Sequence, residues 1–160
     1  MGTARVTQTF AASVADAERC WYDTGAWAAW VDGLDRVLEL DPRWPQLGAT
    51  VRWESGPAGR GHVTEHVVSY APGEGQTVEV QDVSVAGRQS VMFTPVAEGV
   101  EVTLALEYRQ HRRSPVTPLV DILFVRRAMA ASLGRTLGRF GSRLDNAKPI
   151  DSAPGPGRPG

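Results

Sequence analysis

The spacing of apolar and polar residues changes twice along the chain. From Ala4 to Phe10 it alternates, with Val6, Gln8 and Phe10 set against Arg5, Thr7 and Thr9, which predicts a short strand. From Val14 the period lengthens. Val14, Ala17, Cys20 and Trp21 make one stripe of a helix, and Ser13 with Asp16 three residues on is a weakened capping box for its start. Gly25 is its expected end. A shorter helical piece, Ala26 to Val31, puts Trp27 and Trp30 on neighbouring turns of one face. Asp32-Gly33 reads as a turn.

From Leu34 to His111 the two-residue period returns, broken by Gly and Pro. The runs are Arg36 to Asp41, Thr50 to Glu54, His62 to Tyr70, Thr77 to Ser84, Gln89 to Pro95 and Val100 to Gln110. Turn signals fall at Asp41-Pro42, Gly56-Pro57, Pro72-Gly73, Ala86-Gly87 and Glu98-Gly99. Consecutive strands with short turns predict an antiparallel meander. In the last run Val100, Val102, Leu104, Leu106 and Tyr108 face one way, and Glu101, Thr103, Glu107 and Arg109 the other. The sheet therefore has a dry side that something apolar must cover.

The covering element is predicted at Pro118 to Leu144, a long helix with Thr117 as cap and Pro118 at the first helical position. At about 100° per residue, Leu119, Ile122, Leu123, Ala130, Leu133, Leu137, Phe140 and Leu144 share one side. Arg135 and Arg139 lie opposite, and Arg139 and Arg143 suit the negative end of the helix dipole. Arg126 breaks the pattern by projecting from the apolar side. Phe124 points off the stripe and is a candidate for a homodimer contact or for contact with the preceding loop. Residues 1–146 should form one domain, and the Pro/Gly-rich residues 147–160 a disordered tail.

Composition narrows the function. A chain of 160 residues builds one domain with a real core. A formal charge of −1 gives no general attraction to nucleic acid or an anionic membrane. One cysteine, Cys20, allows no internal disulfide and suits a cytoplasmic setting. The longest apolar run, Leu119 to Val125, contains Asp121 and is too short for stable membrane insertion. No P-loop, nucleophile elbow or Cys/His signature is present, so no cofactor is expected.

Trp27-Ala-Ala-Trp30-Val31, Leu47-Gly48-Ala49-Thr50-Val51, and Val63-Thr64-Glu65-His66-Val67 followed by Ala71-Pro72-Gly73 occur in an order and spacing that resemble the START/Bet v 1-like (SRPBCC) superfamily. The likeness is greatest to bacterial polyketide cyclase/dehydrase-type members and runs from about Val6 to Leu144. It implies an α+β helix-grip fold: a seven-stranded antiparallel sheet wrapped round the last helix, with a cavity between them. It also implies a hydrophobic ligand, polyketide- or lipid-like, or a cyclase/aromatase reaction in the same cavity. The superfamily has no universal catalytic motif, so the resemblance leaves binder and enzyme both open.

Candidate ligand-binding residues follow from chemistry. Trp27, Trp30, Trp53, Phe93, Tyr108 and Phe124 are large flat side chains that can line a pocket or simply fill the core. Trp27 falls where the fold's mouth is expected, and Trp53 shares a strand face with Val51. Arg126 can hold a ligand carboxylate or enolate, or form a structural ion pair. Asp82, on the strand face of Val78 and Val80, is its natural partner or a general base. His62, Thr64 and His66 share one strand face, with Val63, Glu65 and Val67 on the other. Two histidines about 13 Å apart along a strand, with no third ligand evident, argue against zinc. The arginines of the last helix do not share one face, which argues against a nucleic-acid surface. Cys20 reads as a small core residue.

Overall fold

The alternating runs form one seven-stranded sheet in the computed structural model, which describes residues 2–56, 61–82, 85–110 and 119–147, and the backbone alone of residues 85, 110 and 119–127. The strands are β1 (Gly2–Phe10), β2 (Leu34–Leu40), β3 (Thr50–Ser55), β4 (His62–Ala71), β5 (Gly75–Gln81), β6 (Val85–Val96) and β7 (Gly99–Gln110). Between β1 and β2 come α1 (Val14–Tyr22), a 3-10 turn (Thr24–Ala26) and α2 (Trp27–Trp30); α3 (Leu119–Asn146) closes the fold. Strands β2 to β7 are a meander, and β1 pairs antiparallel with β7, giving the order β1-β7-β6-β5-β4-β3-β2. Among the described residues, no helix is long and apolar enough to cross a membrane.

The two faces of the sheet separate as the alternation requires. On β7, Val100, Val102, Leu104, Leu106 and Tyr108 are all buried. On β4, Val63, Glu65 and Val67 are buried while His62 and His66 are exposed. Thr103 is an exception: it sits on the outer face yet is buried, because Thr7 opposite it on β1 covers it and the two hydroxyls hydrogen-bond at 3.0 Å.

Four expected boundaries move. Helix α1 ends at Tyr22, before Gly25, because Asp23 leaves the helical conformation (φ −77°, ψ 87°) and starts the 3-10 turn. The second helix is one turn, Trp27–Trp30, since Ala26 belongs to the 3-10 turn and Val31 is already extended. The run expected from Thr77 to Ser84 is β5, Gly75–Gln81, and Val83 and Ser84 lie outside the described residues. Ala86-Gly87 is not a turn: both residues lie inside β6, with Gly87 between Val80 of β5 and Tyr108 of β7. A Cβ on Gly87 would collide with the carbonyl oxygen of Glu107. Glycine here permits a close approach of two backbones, a role that reads like turn punctuation in sequence.

Helix α3 lies against β1 and touches α1 and α2. Leu133, Leu137, Phe140 and Leu144 of its predicted stripe are buried, each leucine contributing roughly 1.5–3 kcal/mol of apolar burial. Gly141 lets the helix sit close to the sheet, since a Cβ there would stand 2.5 Å from the Phe10 ring. Ser13 caps α1 as expected, accepting from the Asp16 amide at 3.1 Å. The Thr117 cap, Pro118, His111, the side chains of Phe124 and Arg126, and residues 148–160 of the expected tail lie outside the described residues.

Candidate functional site

Between the dry face of the sheet and the helices is a cavity of about 60 Å³. All five tryptophans of the chain line it: Trp21, Trp27, Trp30, Trp44 and Trp53. They arrive from four places, namely α1, α2, the β2–β3 loop and β3. Valines and leucines of β5, β6 and β7 form the floor, and Leu133 of α3 part of the roof.

The indoles are held in fixed orientations. Trp27 donates its ring N–H to the Trp21 carbonyl at 2.8 Å, and Trp44 donates to the Tyr22 carbonyl at 3.1 Å. Trp27 stands nearly perpendicular to both Trp30 (77°) and Trp44 (86°), so their planes meet as the corners of a box. Trp30 is nearly fully buried against Trp21 and Phe140, and its ring N–H has no hydrogen-bond partner among the described residues.

Polar groups are few. Glu65 reaches the cavity from β4 and is buried, its carboxylate accepting a hydrogen bond from the Trp53 indole at 3.0 Å. Gln76 is also buried and donates to the Pro45 carbonyl at 3.0 Å. Among the described residues, Gln89, Ser132 and Thr136 are the other polar lining, with Asp32.

Asp32 closes the α2 end of the cavity. Its carboxylate accepts from Ser132 at 2.7 Å, from Arg135 twice at 3.1 Å and from Arg139 at 3.3 Å. Its own amide donates to Thr136 at 3.0 Å. The turn after α2 is thereby latched to α3. The Arg135 hydrogen bonds hold the Asp32 carboxyl below its ordinary range; burial opposes this, and Ser132 and Arg139 reinforce it. A depressed carboxylate stabilises the fold fully above its unfolded pKa of about 3.9, and that stability is lost as pH falls through the folded value. Asp32→Asn should lower the unfolding free energy by about 1–2 kcal/mol at neutral pH, the exposed guanidinium partners limiting the loss. The gap from the parent should narrow below about pH 4. Urea titrations of both proteins across that range measure it, and a pH-independent gap would remove the ionic latch.

Of the residues singled out in the sequence, Trp27, Trp30 and Trp53 line the cavity. Asp82, Phe93 and Tyr108 are buried and are not among its described lining residues. Phe93 packs edge-on against Trp21 and Tyr22. The Tyr108 ring lies across Gly2 of the neighbouring strand. The Arg126 side chain is outside the described residues. His62 and His66 point to the outer face, His66 hydrogen-bonded to Thr50 at 3.2 Å. Burial pushes the half-buried Cys20 thiol up, away from a reactive thiolate.

Sequence reasoning passed over Glu65, Trp44 and Trp21 as site residues. The signal for Glu65 was present: it shares a strand face with Val63 and Val67, and a carboxylate there must be inward. Trp44 gave none, since it lies in a proline-flanked loop without periodicity.

A helix-grip α+β domain whose cavity gathers its tryptophans is the class this geometry defines. The chain belongs to the polyketide cyclase/dehydrase and lipid transport family, whose model matches residues 1–145. Similar solved structures include SA2116 from Staphylococcus aureus, a protein of unknown function (10% identity, TM-score 0.74, covering 91% of this chain and 94% of that one). The di-domain ARO/CYC StfQ from the steffimycin biosynthetic pathway is another (16% identity, TM-score 0.73, 90% of this chain and 50% of that one). Norcoclaurine synthase from Thalictrum flavum is a third (10% identity, TM-score 0.66, 92% and 88%). At such identities the likeness is one of fold. No curated protein matches the chain significantly in sequence.

Proposed function

We propose that the chain binds a hydrophobic small molecule, polyketide- or lipid-like, in the cavity between the sheet and α3. The observation that carries this reading is the convergence of all five tryptophans on one space between the two layers. Core filling alone does not require indoles from four separate segments to meet. Trp27, Trp30 and Trp53 would contact the apolar body of the ligand. Asp82, Phe93 and Tyr108, buried at the sheet, would orient or back the ligand from beyond the described lining. The space of about 60 Å³ corresponds to roughly four to six waters. A larger ligand therefore needs the α2 turn to part from α3, and the Asp32 latch is the contact to release. A cytoplasmic setting, drawn from the single cysteine, belongs to the same proposal.

A cyclase/aromatase reaction is the second reading, and Glu65 favours it. A carboxylate inside an apolar cavity is suited to take a proton from a carbon beside a ketone. Glu65→Gln should then stop turnover of a poly-β-keto substrate while leaving its binding in place.

The binding proposal is tested by native mass spectrometry of the purified protein, together with tryptophan fluorescence titrated with a neutral aromatic probe, 2-naphthol. A co-purifying apolar molecule, or saturable one-to-one quenching with a raised Tm, is the expected result. Apoprotein alone in the spectra and no saturable quenching would overturn it.

A further inference from the structure

Most polar side chains around the cavity are already engaged inside the protein. The ring N–H groups of Trp27, Trp44 and Trp53 donate to the Trp21 carbonyl, the Tyr22 carbonyl and the Glu65 carboxylate. Gln76 donates to the Pro45 carbonyl, and Ser132 and Thr136 are both bonded to Asp32. Gln89 differs. Its side chain lines the cavity and has no hydrogen-bond partner among the described residues.

Its place in the sheet makes this informative. Gln89 belongs to the dry row of β6, in line with the buried Val91 and Phe93. Its strand neighbours are Val78 of β5 and Leu106 of β7, both buried. A valine or leucine would complete this row and need no partner. An amide there costs free energy whenever nothing satisfies it. On the outer face of the same strand the polar side chains are paired, Arg88 with Glu79 and Ser90 with Thr77. The half-buried Gln89 amide is instead turned toward whatever fills the cavity.

A primary amide presents an N–H donor and a C=O acceptor side by side in one plane. A carboxylate can satisfy only the N–H, and an ammonium only the carbonyl. A neutral edge with its own donor beside an acceptor satisfies both at once. The indole walls suit a flat ring carrying that edge. We propose that Gln89 is the specificity-determining residue of this cavity, pairing through its amide with a neutral lactam or carboxamide edge on the bound molecule. This rests on the reading of the cavity as a small-molecule site and names the polar group it selects. No bond is made or broken.

The test uses two isomers with the two-ring outline of 2-naphthol. In 2-quinolinone the N–H and C=O are adjacent; in 4-quinolinone they lie on opposite sides of the ring. Calorimetry on the unaltered chain should find 2-quinolinone bound at least about tenfold more tightly, the worth of one or two added hydrogen bonds. Gln89→Leu should bring the isomers within about twofold of each other. Without ligand, that variant should melt no lower than the parent, because the amide it removes has no structural task. Equal affinity of the isomers for the parent, or a preference that survives in Gln89→Leu, would overturn the proposal and leave a hydrophobic site standing. A Gln89→Leu chain that melts lower or does not fold would also overturn it, by giving the amide a structural task. So would failure of both isomers to bind, while the naphthol titration judges the cavity independently.

Discussion

Replacing Phe140 with alanine should remove about 3–5 kcal/mol of stability, a large part of the 5–15 kcal/mol typical of a domain. Phe140 is fully buried and lies where three elements meet. Its ring stands edge-on to Phe10 of β1 at 5.5 Å, to Trp21 of α1 at 5.2 Å and to Trp30 of α2 at 5.2 Å. Gly141 beside it brings the helix too close to Phe10 for the strand to collapse inward. The gap left by the ring is therefore held open, which puts the loss toward the upper end of the range. Two cavity-lining indoles also lose their backing, so any ligand affinity should fall with stability. Guanidinium denaturation measures the first effect and a probe titration the second. A loss under about 1 kcal/mol would mean that α3 is not seated through this ring.

How much of this was legible in the sequence depended on the kind of signal. The period-two runs placed the strands, because a sheet with one dry side cannot hide its alternation. The stripe from Leu133 to Leu144 placed the roof for the same reason. Glycine was ambiguous. Gly73 and Gly99 mark turns, but Gly87 lies inside β6, and a single chain does not distinguish a bend from a close approach. The site was partly legible. Trp27 and Trp30 lie on one face of a single helical turn, so their meeting is local. Trp44 and Trp21 join them only through tertiary contact between a loop and α1. Arg126 and Asp82 drew notice as charges at apolar positions. Glu65 met the same criterion on β4, and the inward face of that strand was the neglected signal. The Asp32 latch depends on residues about 100 positions apart, Asp32 with Ser132 and Arg135, and no local pattern reports such a pair.

One substitution made at two indoles should give two different results. Trp53→Phe removes the ring N–H that donates to the buried Glu65 carboxylate at 3.0 Å. A buried charged acceptor that loses a donor without gaining water costs about 1.5–3 kcal/mol, before any loss of packing. Trp30→Phe removes an N–H that has no partner among the described residues, so the expected change is in packing. Trp30 sits against Trp21, Trp27 and Phe140, and phenylalanine keeps most of those ring contacts. Its loss should stay below that of Trp53→Phe by at least about 1 kcal/mol, although Trp30 is the more deeply buried of the two. The order of the two Tm values is the measurement. If indole packing alone held the site together, Trp30→Phe would be the more damaging. The reverse order assigns to Trp53 a specific task, holding the Glu65 carboxylate in place within the cavity.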